Sequence, residues 1–328
     1  MITYWSFKET IPIGGEILQR REFLTLAGAA ALGGCRGLCP FGCDASLKKY
    51  DDTLRDHCWM WGHDSGFYDG TGKASVYNIP LSDPISMPDA CAYMGIPNVC
   101  AVTWNPPESD EYLEPFRKMK RVSWVACGGN NTFETLEANC WRLREKLPNL
   151  MGFDLDDYFT YQPKPELFDT GRGVVKVAPS KIGHAKLLDF RRRIDERAAG
   201  RIDLRMVIYA DYLEDTYAPA LAVPDTVLFW TWTGKNLAKL RENFARYRAL
   251  APGKDTLLGI YMWDFGGKKP LDMDFMRKQL DVAHELYMKR EINGFIFHCT
   301  PLVNKKPALE VVEYAREWIK KHADDRRG

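Results

Sequence analysis

Leu150-Met151-Gly152-Phe153-Asp154-Leu155-Asp156-Asp157-Tyr158 begins as a short apolar run and ends in acids. It lies between two segments of helical periodicity. Thr132–Lys146 opens with Thr-Phe-Glu-Thr and carries Leu136, Cys140 and Leu143 on one face; Ser180–Ala199 starts at a capping serine. An apolar run too short for a helix, set between amphipathic helices, reads as a buried strand of a βαβ unit. Period-two alternation sends Asp154 and Asp156 to one side and Leu155 to the other, toward the helices.

The same unit recurs in both directions. Cys58–Gly62, Asn98–Trp104 and Val122–Ala126 precede it; Leu204–Ala210, Thr226–Trp232, Leu257–Trp263 and Gly294–Phe297 follow. Helices are expected at Asn236–Leu250, which stops before Pro252-Gly253, at Phe275–Arg290 and at Ala308–Lys321, with short ones near Met87–Met94 and Thr216–Ala222. Eight strands are the number that closes a barrel, so the expectation is an α/β fold, a single (β/α)8 TIM barrel over residues 56–328. An open doubly wound sheet fits less well, because no glycine-rich phosphate loop joins a strand to a helix. The connection Thr160 to Pro179 has weak periodicity and holds Pro163, Pro165, Gly171 and Gly173. In a barrel it belongs to the active face.

Composition fits a globular domain, with 45% hydrophobic and 27% charged residues. Lys+Arg 45 against Asp+Glu 44 leaves a formal charge of +1, without the basic surplus a nucleic-acid partner requires. Ten tryptophans are many for 328 residues.

The first residues read as an address. Arg20-Arg21-Glu22-Phe23-Leu24 precedes a small-residue apolar run, Leu24 to Gly34, too short to span a bilayer. This resembles a Tat-type export signal, and Leu32-Gly33-Gly34-Cys35 resembles a lipobox. Residues 1–35 are therefore expected to be a signal and 36–55 a linker. The product would be exported to the periplasm or to the outer membrane and cell surface, attached to membrane through lipidated Cys35. A cut near Ala31 and an ordinary surface helix are the alternatives. The Cys35, Cys39, Cys43 run precedes the first strand and lacks iron–sulfur spacing, and Cys39 and Cys43 are open to pairing with each other or with a core cysteine. The other six cysteines lie in apolar stretches, as buried thiols do.

Barrel active sites form at the C-terminal strand ends. Those ends deliver Trp61, His63 and Asp64 from strand one, Trp104 from two, Asn130 after three, and Asp154, Asp156, Asp157 and Tyr158 from four. Tyr212 and Asp211 follow strand five, Trp230 and Trp232 end six, Trp263 and Asp264 end seven, and His298 ends eight. Each has a mundane reading, as a helix cap or as barrel packing. Together they match what a sugar needs: aromatic faces for its C–H surfaces and acids and amides for its hydroxyls. Asp154 and Asp156 are like charges on one side, so at least one should have a raised pKa; salt-bridged core acids are the competing reading.

Gly152-Phe153-Asp154-Leu155-Asp156-Asp157-Tyr158 resembles the strand-four motif of family 18 glycoside hydrolases, the chitinase-like barrels, whose pattern is D-G-x-D-x-D-x-E with the last Glu as general acid. Met151 stands at the first Asp of that pattern and Tyr158 at the catalytic Glu. The resemblance implies that Asp154 and Asp156 line a site, and no more.

Three functions follow as expectations. The first is a glycoside hydrolase using paired aspartates, with Asp156 as nucleophile or stabiliser and Asp264 or Asp211 as acid/base, Asp154 and Asp157 completing the acid set. The second is a non-catalytic glycan-binding lipoprotein on a degenerate hydrolase barrel, suggested by Tyr158. The third is a metal-dependent hydrolase built on His63, Asp64, Asp154 and His298. It ranks last because Gly62-His63-Asp64 lacks the H-x-H an amidohydrolase carries on strand one. No cofactor or metal is expected, and the partner is a carbohydrate.

Overall fold

The computed structural model describes residues 53–64, 67–68, 76–80, 83–129, 131–160, 164–198, 201–305 and 309–327. The signal segment, Cys35, Cys39, Cys43, most of the linker, and Asn130 lie outside these residues.

Among the described residues there are ten strands: β1 Cys58–His63, β2 Asn98–Val102, β3 Arg121–Cys127, β4 Leu150–Leu155, β5 Glu166–Asp169, β6 Val174–Val177, β7 Asp203–Tyr209, β8 Thr226–Trp230, β9 Asp255–Tyr261 and β10 Gly294–His298. Eight of them close a parallel barrel in the order β1-β10-β9-β8-β7-β4-β3-β2. The expected (β/α)8 barrel is the observed fold. β5 and β6 form a separate antiparallel pair inside the long connection after β4. This hairpin was not expected, because its strands are largely exposed and carry no buried periodic pattern.

Among the described residues the helices are α1 Met87–Met94, α2 Asp110–Arg117, α3 Phe133–Lys146, α4 His184–Ala198, α5 Ala218–Leu221, α6 Leu240–Leu250, α7 Met273–Met288 and α8 Glu310–His322. α1 coincides with the expected span: Ser86 accepts from the Asp89 N–H at its start, and Gly95 in the left-handed region (φ 70°) ends it. α2 was missed. Pro115 sits inside it and obscures the pattern, yet Ser109 caps its first turn and Leu113 and Phe116 anchor it in the core. The segment expected as Asn236–Leu250 is divided, a 3₁₀ stretch over Gly234–Lys239 running into α6.

The barrel strands are buried almost throughout, which is why they read as apolar runs rather than as alternating ones. The ladder ends two residues earlier than the sequence suggested on three strands, and one residue earlier on β7. Trp104, Trp232 and Trp263 stand beyond the last paired residues of β2, β8 and β9, on the loops of the C-terminal face.

The barrel interior is packed in layers. Gly259 in β9 is the tightest point: a Cβ there would fall inside the van der Waals surface of the Trp230 six-membered ring. Gly259→Ala is expected to destabilise the fold by about 1–3 kcal/mol, because neither the ring nor the strand has room to retreat. A lowered urea midpoint at unchanged m-value checks this; an unchanged midpoint would mean that Trp230 is free to move.

Lower in the barrel lies a charged layer. The Arg205 guanidinium lies 4.0 Å over the Trp59 ring and its Nε donates to Asp203 Oδ2 at 2.8 Å. Thr226 Oγ1 donates to the same oxygen at 2.9 Å. A Cβ on Gly152 would meet Arg205 Nε at 2.8 Å, so that glycine leaves the space the guanidinium occupies.

Candidate active site

The acids of β4 separate into two environments. Asp154 is fully buried, and its Oδ2 accepts from the Cys100 thiol at 2.9 Å. Burial pushes its carboxyl above the usual carboxylate range, opposed by the nearby Arg205 charge. The Cys100 thiol is pushed up by burial and by the Asp154 charge, which keeps it protonated and able to donate. Asp154 thus belongs to the charged layer inside the barrel rather than to its mouth.

Asp156 is one pleat further along, past the end of the β4 ladder, and is half-buried. Its backbone N–H donates to the Cys127 carbonyl at 2.9 Å, which fixes the chain at this point. The approach of β3 to it depends on Gly128 and Gly129, at φ 147° and 57°. A Cβ on Gly128 would stand 3.3 Å from Asp156 Cβ, and one on Gly129 would stand 2.9 Å from Trp104 Cε2. Only glycine gives this turn both its left-handed backbone and its flat contact with Trp104 and Asp156.

Electrostatics single Asp156 out. Burial holds its carboxyl well above the ordinary carboxylate range; the neighbouring Asp157 charge adds to this, while Lys181 opposes it. Asp157, exposed and in the left-handed region (φ 43°), accepts from the Tyr209 hydroxyl at 3.2 Å. The phenols of Tyr209, Tyr261 and Tyr68 are themselves pushed well up, by burial first and with the Asp156 charge contributing. All three therefore stay protonated, and the Tyr209 hydroxyl donates to Asp157. Neither Tyr209 nor Tyr261 was singled out from the sequence as a site residue, since an aromatic at a strand end reads as packing. Tyr68 and Tyr77 come from the loop after β1, which has no periodicity to read.

An aromatic belt surrounds this point. The His63 ring stacks on Phe67 at 4.2 Å, Phe67 lies 5.9 Å from Trp104, and Tyr68 lies 6.1 Å from Tyr77. Tyr77 meets Trp232 at 5.8 Å, and Trp232 meets Tyr209 and Tyr261, each at 6.0 Å. Of the expected tryptophans, Trp104 and Trp232 keep partial exposure, whereas Trp61, Trp230 and Trp263 are buried. Trp61 packs on Trp230 at 5.6 Å and stacks over His298 at 6.3 Å, and Trp263 Nε1 donates to the Tyr77 carbonyl at 3.0 Å. These three support the mouth from below and beside it.

Asp264 and Asp211 are each engaged by neighbouring loops. Asp264 Oδ1 accepts from the Gly234 and Gly267 N–H groups at 2.9 and 2.7 Å, tying the loops after β8 and β9 together. Asp211 is exposed and accepts from Asn236 Nδ2 at 3.4 Å. Tyr158, at the position where the resembled pattern has its acid, is fully buried 4.9 Å from Phe159, and Tyr212 stacks on Tyr217 at 5.6 Å.

The expected metal set also disperses. His63 and His298 stand with ring centroids 6.1 Å apart, Asp64 accepts from the Tyr112 hydroxyl at 3.0 Å, and Asp154 is held by Cys100. Burial and the adjacent His63 push His298 well below the ordinary histidine value, so it is a neutral ring within the aromatic packing. Among the described residues these four do not converge on a common point.

No protein-family model and no curated protein matches the chain. Solved structures with a similar backbone include an endo-α-mannosidase of family GH99 from Bacteroides thetaiotaomicron. It is 12% identical over 82% of this chain and 98% of that one, with a TM-score of 0.48. The catalytic domain of a chitinase from Pyrococcus furiosus is 14% identical over 83% and 97%, also with a TM-score of 0.48. A probable 2-pyrone-4,6-dicarboxylic acid hydrolase from Acinetobacter baumannii is 11% identical over 82% and 93%, with a TM-score of 0.42.

Proposed function

We propose that this barrel cleaves or transfers glycosidic bonds and that Asp156 is the carboxyl that handles the proton. The observation that carries this reading is the half-buried Asp156 at the barrel mouth, with its pKa raised by burial and by Asp157. A glycosidic oxygen leaves only when protonated, and a carboxylic acid can protonate it near neutral pH only if its environment disfavours the anion. Asp157, on the adjacent residue and accepting from the Tyr209 hydroxyl, is the second carboxyl. It stabilises positive charge developing on the sugar ring or directs a water toward it. Trp104, Trp232 and Tyr77 supply partly exposed aromatic faces for the ring's C–H surface.

The test is turnover of a panel of oligosaccharides and aryl glycosides, with products followed by mass spectrometry. Release of reducing ends or transfer products by the wild-type chain supports the reading. Saturable binding with no product from any substrate would favour the second reading, a glycan-binding barrel. Tyr158 speaks for that alternative, because the resembled family's acid position is filled by a buried phenol.

The pH profile follows from the same environment. Activity that needs protonated Asp156 falls as pH rises through its elevated pKa. Removing the Asp157 charge takes away one of the causes of that elevation. Asp157→Asn is therefore expected to shift the alkaline limb of kcat/KM to lower pH. An alkaline limb that stays in place would separate Asp157 from the proton donor.

We further propose that the barrel works outside the cytoplasm. Arg20, Arg21 and the run ending at Cys35 support this. Replacing both arginines by lysine is expected to leave the full chain in the cytoplasmic fraction, and Cys35→Ser to abolish incorporation of labelled fatty acid. Normal export of the double-lysine variant would overturn the Tat assignment.

A further inference from the structure

We propose that His284, His322 and Asp325 form a divalent-cation site of zinc type that clasps the C-terminal segment to the closed end of the barrel. His284 lies on α7, His322 is the last residue of α8, and Asp325 follows it in the C-terminal segment. His284 Nε2 and His322 Nδ1 stand 2.8 and 2.7 Å from the same oxygen, Asp325 Oδ2. The two imidazole centroids are 4.6 Å apart, and one ligand atom from each of the three residues falls within 4.8 Å of the others.

Two imidazole nitrogens and a carboxylate oxygen converging on one point are the donor set of a three-ligand zinc site, with water in the fourth position. Ligand atoms around tetrahedral zinc lie about 3.3 Å apart, given bonds near 2.0–2.1 Å. A cation therefore needs the cluster to open by roughly half an ångström. The side chains retain 28%, 18% and 35% exposure, which leaves room for the water and a route of entry. Trp318 packs against both imidazoles, at 5.8 and 4.7 Å, and fixes the planes in which they present their nitrogens.

The place of the cluster gives the cation a structural task. The Leu54 N–H donates to the Asp325 carbonyl at 2.8 Å and the Arg55 N–H to the Ala323 carbonyl at 3.2 Å. The turn that opens the barrel, just before β1, is thus paired with the segment that closes it. β1 and β10 are the first and last strands and are direct neighbours. A cation held by α7, α8 and Asp325 would lock that seam at the face opposite the candidate active site.

The experiment uses the full chain, stripped with a chelator and desalted, then titrated with zinc and separately with cobalt(II). The expected result is one equivalent of zinc that is lost in both His284→Ala and His322→Ala. The matching cobalt spectrum should carry d–d bands without the charge-transfer band that cysteine thiolates would give. Asp325→Asn, which keeps the shape but not the charge, should weaken binding by about tenfold or more. Zinc at 100-fold excess over its wild-type dissociation constant should raise Tm by about 5 °C in the wild type, by about half of that or less in Asp325→Asn, and not at all in the two histidine variants. Should an alanine variant fail to fold by circular dichroism, His284→Gln and Asp325→Asn decide in its place. No zinc binding, equal binding in the variants, or a cobalt spectrum showing only thiolate bands would each overturn the site.

Discussion

Asp156→Asn is expected to lower kcat/KM on any cleaved glycoside by about 10³-fold while leaving the barrel folded. The amide fills the same volume and leaves the backbone bond from Asp156 to the Cys127 carbonyl untouched, but it cannot deliver a proton. The stability side has the opposite sign. Because burial and Asp157 raise the folded-state pKa of Asp156 above the ordinary 3.8, the native protein binds more protons here than the unfolded chain does. Its stability is then full below the unfolded value and falls as pH rises through the folded one. At neutral pH the ionisable group is a burden, and Asn removes it. The variant should be inactive with a Tm equal to or above that of the wild type, a combination a merely structural aspartate does not give. Activity within a few-fold of wild type would remove Asp156 from the chemistry. Inactivity together with a collapsed Tm would assign it to the scaffold.

The two roles of β4 acids explain how far the sequence could be read. Strand positions were legible because a barrel strand is buried on both faces, and a short apolar run between helices has no other good reading. The hairpin of β5 and β6 and the proline-bearing α2 left no such pattern. At the strand ends, sequence gives a residue's place on the rim but not what its oxygens are already bonded to. Asp264 and Asp156 look alike as acids at or just beyond strand ends, yet Asp264 is engaged by the Gly234 and Gly267 N–H groups. Alternation put Asp154 and Asp156 on one side, but it could not say that Cys100 and Arg205, distant in sequence, would claim the first and leave the second at the mouth. Those facts are set by cross-strand neighbours. The same limit hid Tyr209 and Tyr261, whose significance lies in their sharing the surroundings of Asp156.

Arg205→Met is expected to produce the largest loss of stability of any single change considered, about 3–5 kcal/mol. The methionine keeps most of the volume above Trp59, so lost packing is small, and the loss is electrostatic. In the wild type the guanidinium opposes the burial that raises both Asp154 and Asp203. Without it, Asp154, fully buried, is left with the Cys100 thiol and the Ser123 hydroxyl to oppose its burial, and its pKa must climb further. Asp203 is partly exposed and keeps the Thr226 hydroxyl, so its share is smaller. The sign of the pH dependence follows. A carboxyl whose folded pKa lies above 3.8 binds more protons folded than unfolded, so stability declines as pH rises from the unfolded value through the folded one. The deficit of the variant relative to wild type should therefore be small in mild acid and grow toward neutrality, as urea unfolding at a series of pH values would show. Adding Asp154→Asn to Arg205→Met should restore a large part of the loss, since a neutral buried pair no longer needs the missing charge. A deficit that ignores pH, or one that the second substitution deepens, would mean that Arg205 acts through its stacking on Trp59 rather than through its charge.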